Sequence, residues 1–139
     1  AYFAATSPAR CEENLDSTVY QQKEKVEMQQ DGHIDGRTLK TWVDKKRSMV
    51  ILDARGGKWD DGRRIPGGKS LPADSPVELF TQVAPDKDAL VVVYCGGIQC
   101  PAGKALAERM IGAGYSHVLE YAGGIKEWAD EFQYPVERN

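Results

Sequence analysis

The stretch Val91-Val92-Val93-Tyr94-Cys95-Gly96-Gly97-Ile98-Gln99-Cys100-Pro101 decides the fold. Its β-branched run with Tyr94 has the composition of a buried strand, Gly96 and Gly97 free the backbone, and Pro101 suits the first turn of a helix. Cys95 therefore sits on a strand-loop-helix turn. Such a turn stabilises a thiolate twice, through the N–H groups of a tight glycine loop and through the positive end of the following helix. A helix terminus supplies about 0.3–1 kcal/mol, enough with the loop to depress a thiol pKa of about 8.5 by about one unit. The thiolate share at neutral pH then rises from about 3% to about a quarter. The alternative, an inert cysteine behind a core strand, gives the two adjacent glycines no purpose.

Working outward, Met49-Val50-Ile51-Leu52 is a second continuous apolar run, closed by Asp53-Ala54-Arg55, and His117-Val118-Leu119-Glu120-Tyr121 is a third. Continuous runs of this kind belong to parallel sheets buried on both faces. Helical patterns alternate with them. Asp35 can cap a helix in which Leu39, Trp42 and Val43 share one face and which ends in the basic Lys45-Lys46-Arg47. Ser75-Pro76-Val77-Glu78 reads as a capping box ahead of a helix burying Val77, Phe80 and Val83. Pro101 to Ile111 forms a helix with Ala102, Leu106 and Met110 on one side, stopped by Gly112 and Gly114. Gly123-Gly124 turns into a short last helix presenting Ile125, Trp128 and Ala129 to the core. Between Gly56 and Gly68 lies a long glycine-rich loop with Trp59, Asp60, Asp61, Arg63 and Arg64, followed by a short edge strand at Ser70-Leu71-Pro72. The result is an α/β domain with a mainly parallel central sheet and helices on both faces. Ligands bind at the carboxyl ends of strands in such folds, which should bring Asp53, Arg55 and Cys95 to one crevice.

The 139 residues, 41% hydrophobic, have a formal net charge of −3, which fits one domain and gives no electrostatic bias toward nucleic acid. No apolar run is long enough to span a membrane as a helix. The chain divides into a polar appendage over residues 1–31 and the domain over residues 32–139. The appendage either carries one polar helix that rests on the domain by Leu15, Val19 and Tyr20 or is a loosely ordered tail. Its opening Ala1-Tyr2-Phe3-Ala4-Ala5 is compatible with an export signal and with a trimmed chain, so the compartment stays open, leaning to an exported or periplasmic one with the cytoplasm as alternative. Three cysteines, Cys11, Cys95 and Cys100, cannot pair without leaving one over, and read as individual thiols. No zinc-type Cys-x-x-Cys or paired histidine accompanies them, so no metal is expected.

The order of these pieces resembles the rhodanese family of single-domain sulfurtransferases from about Ile34 to Val136. Ile51-Leu52-Asp53-Ala54-Arg55 is similar to the family's strand ending in Asp-x-Arg, and Arg64-Ile65-Pro66-Gly67-Gly68 to its His-Ile-Pro-Gly-Ala segment. Val93-Tyr94-Cys95 resembles the active-site strand and nucleophile. Tyr121-Ala122-Gly123-Gly124-Ile125-Lys126-Glu127-Trp128 with Tyr134-Pro135-Val136 resembles the closing Gly-Gly-Ile-x-x-Trp and Pro-Val signature. Gly32-His33-Ile34-Asp35-Gly36 only imitates the His-Ile-Pro-Gly segment, since it precedes the Asp53 strand; His33 and His117 read as structural.

The resemblance implies that Cys95 takes sulfane sulfur from a small donor, holds it as a persulfide and passes it to cyanide or a thiol, that of a protein included. No cofactor is called for. The loop Gly96, Gly97, Ile98, Gln99 and Cys100 would wrap the outer sulfur with backbone N–H groups. Many relatives carry basic or hydroxyl side chains at the loop's end, where this chain has Cys100 and Pro101. An anionic donor would then rely on the backbone and on Arg55, Arg63 or Arg64, which with Asp53 are the candidates for anion binding or a structural role. Polysulfide or persulfide is therefore the expected donor over thiosulfate. Cys100 is either a small loop-filling side chain or a resolving thiol that closes a disulfide on Cys95. A cysteine-phosphatase reading fails for want of an arginine six residues after Cys95. The remaining alternative is a low-turnover binding or thiol redox-sensing module using Cys95 and Cys100.

Overall fold

Residues 32–138 are described by a computed structural model; the N-terminal appendage and Cys11 lie outside them. The elements run α1 (Gly36–Asp44), β1 (Val50–Asp53), a 3₁₀ turn (Gly57–Trp59), β2 (Arg63–Arg64), β3 (Gly68–Ser70), α2 (Val77–Val83), β4 (Leu90–Tyr94), α3 (Ala102–Gly112), β5 (His117–Tyr121), a π-helix (Lys126–Glu131) and β6 (Glu137–Arg138).

The four longer-range strands form one parallel sheet in the order β3-β1-β4-β5. Val92 of β4 stands beside Ile51 of β1 and Leu119 of β5, so the strand carrying the site is flanked on both sides. Leu52, Val91, Val93 and Val118 pack with Phe80 of α2 and with Leu106, Ala107 and Met110 of α3. The alternate residues Ile51, Val92, Leu119 and Tyr121 are also buried, and side chains alternate across a strand, so both faces are covered. Helix α1 approaches the Tyr121 side: a Cβ on Gly36 would lie 2.7 Å from the Tyr121 hydroxyl and 2.8 Å from the Phe132 ring. This two-sided burial is what the uninterrupted apolar runs require.

The α1 cap forms as its sequence predicts, the Asp35 carboxylate accepting from Thr38 N–H at 2.7 Å. Other details differ. Ser75 is buried and makes no cap; Pro76 holds the N-cap position of α2 without a side-chain bond, and Val77 at the helix's outer start is half exposed, leaving Phe80 as the buried anchor. The edge strand lies at Gly68–Ser70, with the ladder carried one residue further by Leu71 N–H donating to Asp53 O at 2.8 Å. The long loop is partly ordered by β2, which pairs antiparallel with β6 at the far end of the chain. Helix α1 ends at Asp44, ahead of the basic cluster; the Arg47 N–H donates to Trp42 O at 3.0 Å while its guanidinium stacks 4.2 Å over the Trp42 ring. The last helix is wound as a π-helix, and its buried Trp128 donates from Nε1 to Pro135 O at 2.7 Å while meeting Tyr121 and Tyr134 edge-on. Among the described residues no helix is long and apolar enough to cross a membrane.

Candidate functional site

Cys95 directly follows β4, so the sheet's central ladder sets its position. Neighbouring backbone groups then fix the loop from behind. Ala54 N–H donates to Tyr94 O at 2.8 Å, Ile125 N–H to Cys95 O at 3.0 Å and Lys126 N–H to Gly96 O at 2.9 Å. These bonds bring the Gly123-Gly124 turn into backbone contact with the loop. A Cβ on Gly124 would lie 2.5 Å from Cys95 O and 2.9 Å from Gly97 N, and the residue has φ +67°. Only glycine meets both demands. Helix α3 closes from the other side, where a Cβ on Gly103 would be 3.6 Å from Cys95 Cβ.

Within the loop, Cys100 N–H donates to Gly97 O at 3.0 Å. Among the described residues the N–H groups of Gly96, Gly97, Ile98 and Gln99 donate to no protein carbonyl. Cys95 is 4% exposed, whereas Ile98 at the tip is 81% exposed. The reading of the cysteines as individual thiols is corrected for two of them: Cys95 and Cys100 are joined by a disulfide with a Cα separation of 6.2 Å, inside the range such a bridge requires.

In front of the loop lies an open pocket of about 500 Å³, lined by all five residues Gly96 to Cys100 and by Gly123, Lys126, Glu127 and Glu131. Asp53, Arg55, Arg63 and Arg64 are absent from this lining, as is Cys95 itself, and the four charged residues are engaged with carboxylates and guanidinium groups of their own cluster. The reason is charge balance. The Asp53 carboxylate is fully buried and takes bonds from Arg55 Nε at 3.1 Å and Nη2 at 2.7 Å, with Arg64 Nη1 at 3.4 Å. Arg55 also reaches Asp61 at 3.1 Å, and Arg64 holds Asp60 at 2.7 and 2.8 Å. Arg63 spans Asp61 at 2.9 Å and Asp130 at 2.8 Å. Every arginine proposed for anion binding is thus spent on carboxylates. Arg55 supports the loop only with its stem, Cδ lying 3.9 Å from where a Gly96 Cβ would be.

Lys126 is the functional candidate that the sequence reading missed. It stood at a variable position of the Gly-Gly-Ile-x-x-Trp signature, and only its place two residues after Gly124, which touches the loop, could have flagged it. Its side chain lies beside Gly97, with Cβ and Cδ each 3.8 Å from an added Cβ there. Glu127 next to it accepts from the Tyr121 hydroxyl at 2.7 Å. Burial first, and that carboxylate second, hold the Tyr121 hydroxyl far above its ordinary range, so it remains a donor. Burial likewise raises Tyr94, whose hydroxyl accepts from Ile65 N–H at 3.1 Å and ties the Ile65 segment to the cysteine strand.

A cysteine loop between the central parallel strand and a helix, clamped by a glycine pair, defines a cysteine-loop α/β domain. Residues 35–131 match the rhodanese-like domain model, and the chain belongs to the rhodanese family. It is 33% identical over 107 residues to the tRNA uridine(34) hydroxylase of Bordetella parapertussis, covering 70% of this chain and 42% of that protein. The chain thus spans less than half the length of this curated relative. Among solved structures it is similar to a rhodanese with anions from E. coli, at 26% identity and TM-score 0.54 over 66% of this chain and all of that one. It is also similar to the rhodanese-like domain of an Anabaena sp. protein, at 24% identity and TM-score 0.66 over 78% of this chain and 80% of that one. Family membership supports a sulfurtransferase-type activity.

Two outcomes follow. Gly124→Ala should lower the unfolding midpoint and speed alkylation of Cys95 in the reduced protein, since the added methyl must displace the loop; unchanged midpoint and alkylation rate would refute the clamp. The Asp53 cluster also sets an acid limit. Burial pushes the Asp61 carboxyl up, but the Arg63 amide and guanidinium together with Arg55 outweigh it and bring the pKa to about 2. A folded pKa below the unfolded value of about 3.9 contributes stability that is present above about pH 4 and is lost as pH falls through about 2. Urea midpoints measured from pH 5 to pH 2 should fall less steeply in Asp61→Asn than in the parent.

Proposed function

We propose that residues 32–139, as a rhodanese-like domain behind an N-terminal appendage, carry sulfane sulfur through a Cys95 persulfide, with polysulfide or an organic persulfide as donor in preference to thiosulfate. The observation that supports this most is the loop itself: a cysteine at the end of the central strand, followed by four residues whose N–H groups no protein carbonyl engages among the described residues. The Cys95 thiolate attacks the terminal sulfur of a donor R–S–SH, the donor's S–S bond breaks, and R–S⁻ departs and takes up a proton. A thiolate or cyanide then attacks the outer sulfur, and Cys95 leaves as thiolate. The loop amides favour both anionic stages without contact from a guanidinium. A pocket with one lysine and two glutamates supports a singly charged organic persulfide over the thiosulfate dianion.

The disulfide favours a second reading, a thiol redox module, and the two join in one step. If the Cys100 thiolate attacks Cys95 Sγ of the persulfide, the Cys95–Cys100 bond forms and HS⁻ departs. An external thiol must then reopen the bridge. The hydroxylase relative acts on tRNA, but a net charge of −3 and a pocket bearing Glu127 and Glu131 give a phosphate backbone little to hold.

The test is intact mass spectrometry of dithiothreitol-reduced, desalted protein after exposure to polysulfide. One added sulfur is expected, absent in Cys95→Ser and longer-lived in Cys100→Ser. No added sulfur from any donor, in either the parent or Cys100→Ser, would end the sulfurtransferase reading.

A further inference from the structure

The pocket in front of the loop has a charge arrangement that the transfer chemistry alone does not use. It is lined by one cation, Lys126, and two carboxylates, Glu127 and Glu131. These three lie on the π-helix Lys126–Glu131, whose wide turn is marked by Phe132 N–H donating to Glu127 O at 2.8 Å. An α-helix would set residues five apart well round its circumference, whereas i→i+5 winding draws Lys126 and Glu131 toward one face. Isolated π turns of this kind recur at functional sites. Lys126 is fixed at its base by its own N–H on Gly96 O at 2.9 Å, and Glu127 by the Tyr121 hydroxyl at 2.7 Å.

A pocket with opposite charges on one short helix, beside a sulfur-accepting loop, complements a ligand carrying both charges itself. We infer that the Lys126–Glu127–Glu131 face recognises a zwitterionic, amino-acid-type persulfide, its carboxylate on Lys126 and its ammonium on Glu131 or Glu127, with the terminal sulfur turned to Cys95. The inference rests on the sulfurtransferase reading and narrows it to a donor class. The volume of about 500 Å³ is ample for a cysteine-sized molecule and lies in the range of small-molecule sites. Arg55, Arg63 and Arg64 cannot supply the carboxylate's partner because their guanidinium groups are already on Asp53, Asp60, Asp61 and Asp130. Thiosulfate lacks the ammonium that the two glutamates would hold, and adds a second negative charge that they repel. The loading step is unchanged: Cys95 thiolate takes the terminal sulfur, and cysteine leaves as its thiolate and is protonated.

Donor charge is the variable that tests this. Loading of reduced Cys100→Ser is followed by intact mass with cysteine persulfide, N-acetylcysteine persulfide and inorganic polysulfide at matched concentrations. Exposed ion pairs each contribute up to about 1 kcal/mol, so cysteine persulfide should load about fivefold faster than its N-acetyl counterpart. Adding Glu131→Gln should shrink that ratio, and adding Lys126→Met should slow both carboxylate-bearing donors more than it slows polysulfide. Equal rates for the cysteine and N-acetylcysteine donors in the parent, or variants that slow all three donors alike, would overturn the inference while leaving the persulfide chemistry standing. Absence of loading by every donor would instead overturn the underlying reading. Unfolding midpoints for each variant separate a charge effect from a folding defect, since Lys126 and Glu131 are both exposed.

Discussion

Asp53 imposes the constraint on which the rest of the domain depends. It ends β1 one strand away from the cysteine, in register with Tyr94, and its carboxylate has no exposure to water. A buried carboxylate is tolerable only when paired and hydrogen-bonded, and removal of one partner of such a pair typically costs about 3–5 kcal/mol. Arg55 and Arg64 meet that demand, and in turn recruit Asp60 and Asp61, so a glycine-rich segment that would otherwise wander is drawn back against the sheet. The short pairing of β2 with β6 closes the same region from the carboxyl end.

The chemistry inherits that constraint. With Arg55, Arg63 and Arg64 bound to carboxylates, the pocket in front of the loop offers backbone groups, one lysine and two glutamates. On the proposed sulfur-transfer reading, stabilisation of anionic sulfur falls to the loop amides and the start of α3, while Gly124 packs directly on the loop backbone. A small neutral cradle suits a monoanionic persulfide better than a dianion. The bridge between Cys95 and Cys100 fits the same picture: one thiol is buried at the strand end, and the other stands at the loop's pocket side, where an incoming thiol can meet it.

The sheet was legible because burial on both faces leaves continuous apolar runs, and the cysteine turn because strand, glycines and Pro101 coincide within eleven residues. The Asp35 cap was legible because it is local. What escaped depended on distant partners. Ser75 and Glu78 match a capping box, yet Ser75 is buried and Pro76 takes the cap position. A two-residue strand at Glu137–Arg138 exists only through its pairing with Arg63 and Arg64. The arginines looked available for anions because a sequence does not show which way a guanidinium turns. Lys126 drew no notice because its place beside the cysteine loop comes from the contact between its turn and a segment some thirty residues earlier.

The central claim is that the backbone loop, and no arginine, holds sulfur on Cys95. The most direct measurement is a crystal structure of reduced Cys100→Ser exposed to polysulfide. The account predicts one extra sulfur bonded to Cys95 Sγ and ringed by the N–H groups of Gly96 to Gln99, with Arg55, Arg63 and Arg64 still on their carboxylates. A guanidinium swung onto the added sulfur, or an unmodified Cys95 in crystals whose dissolved protein carries the extra mass, would contradict it.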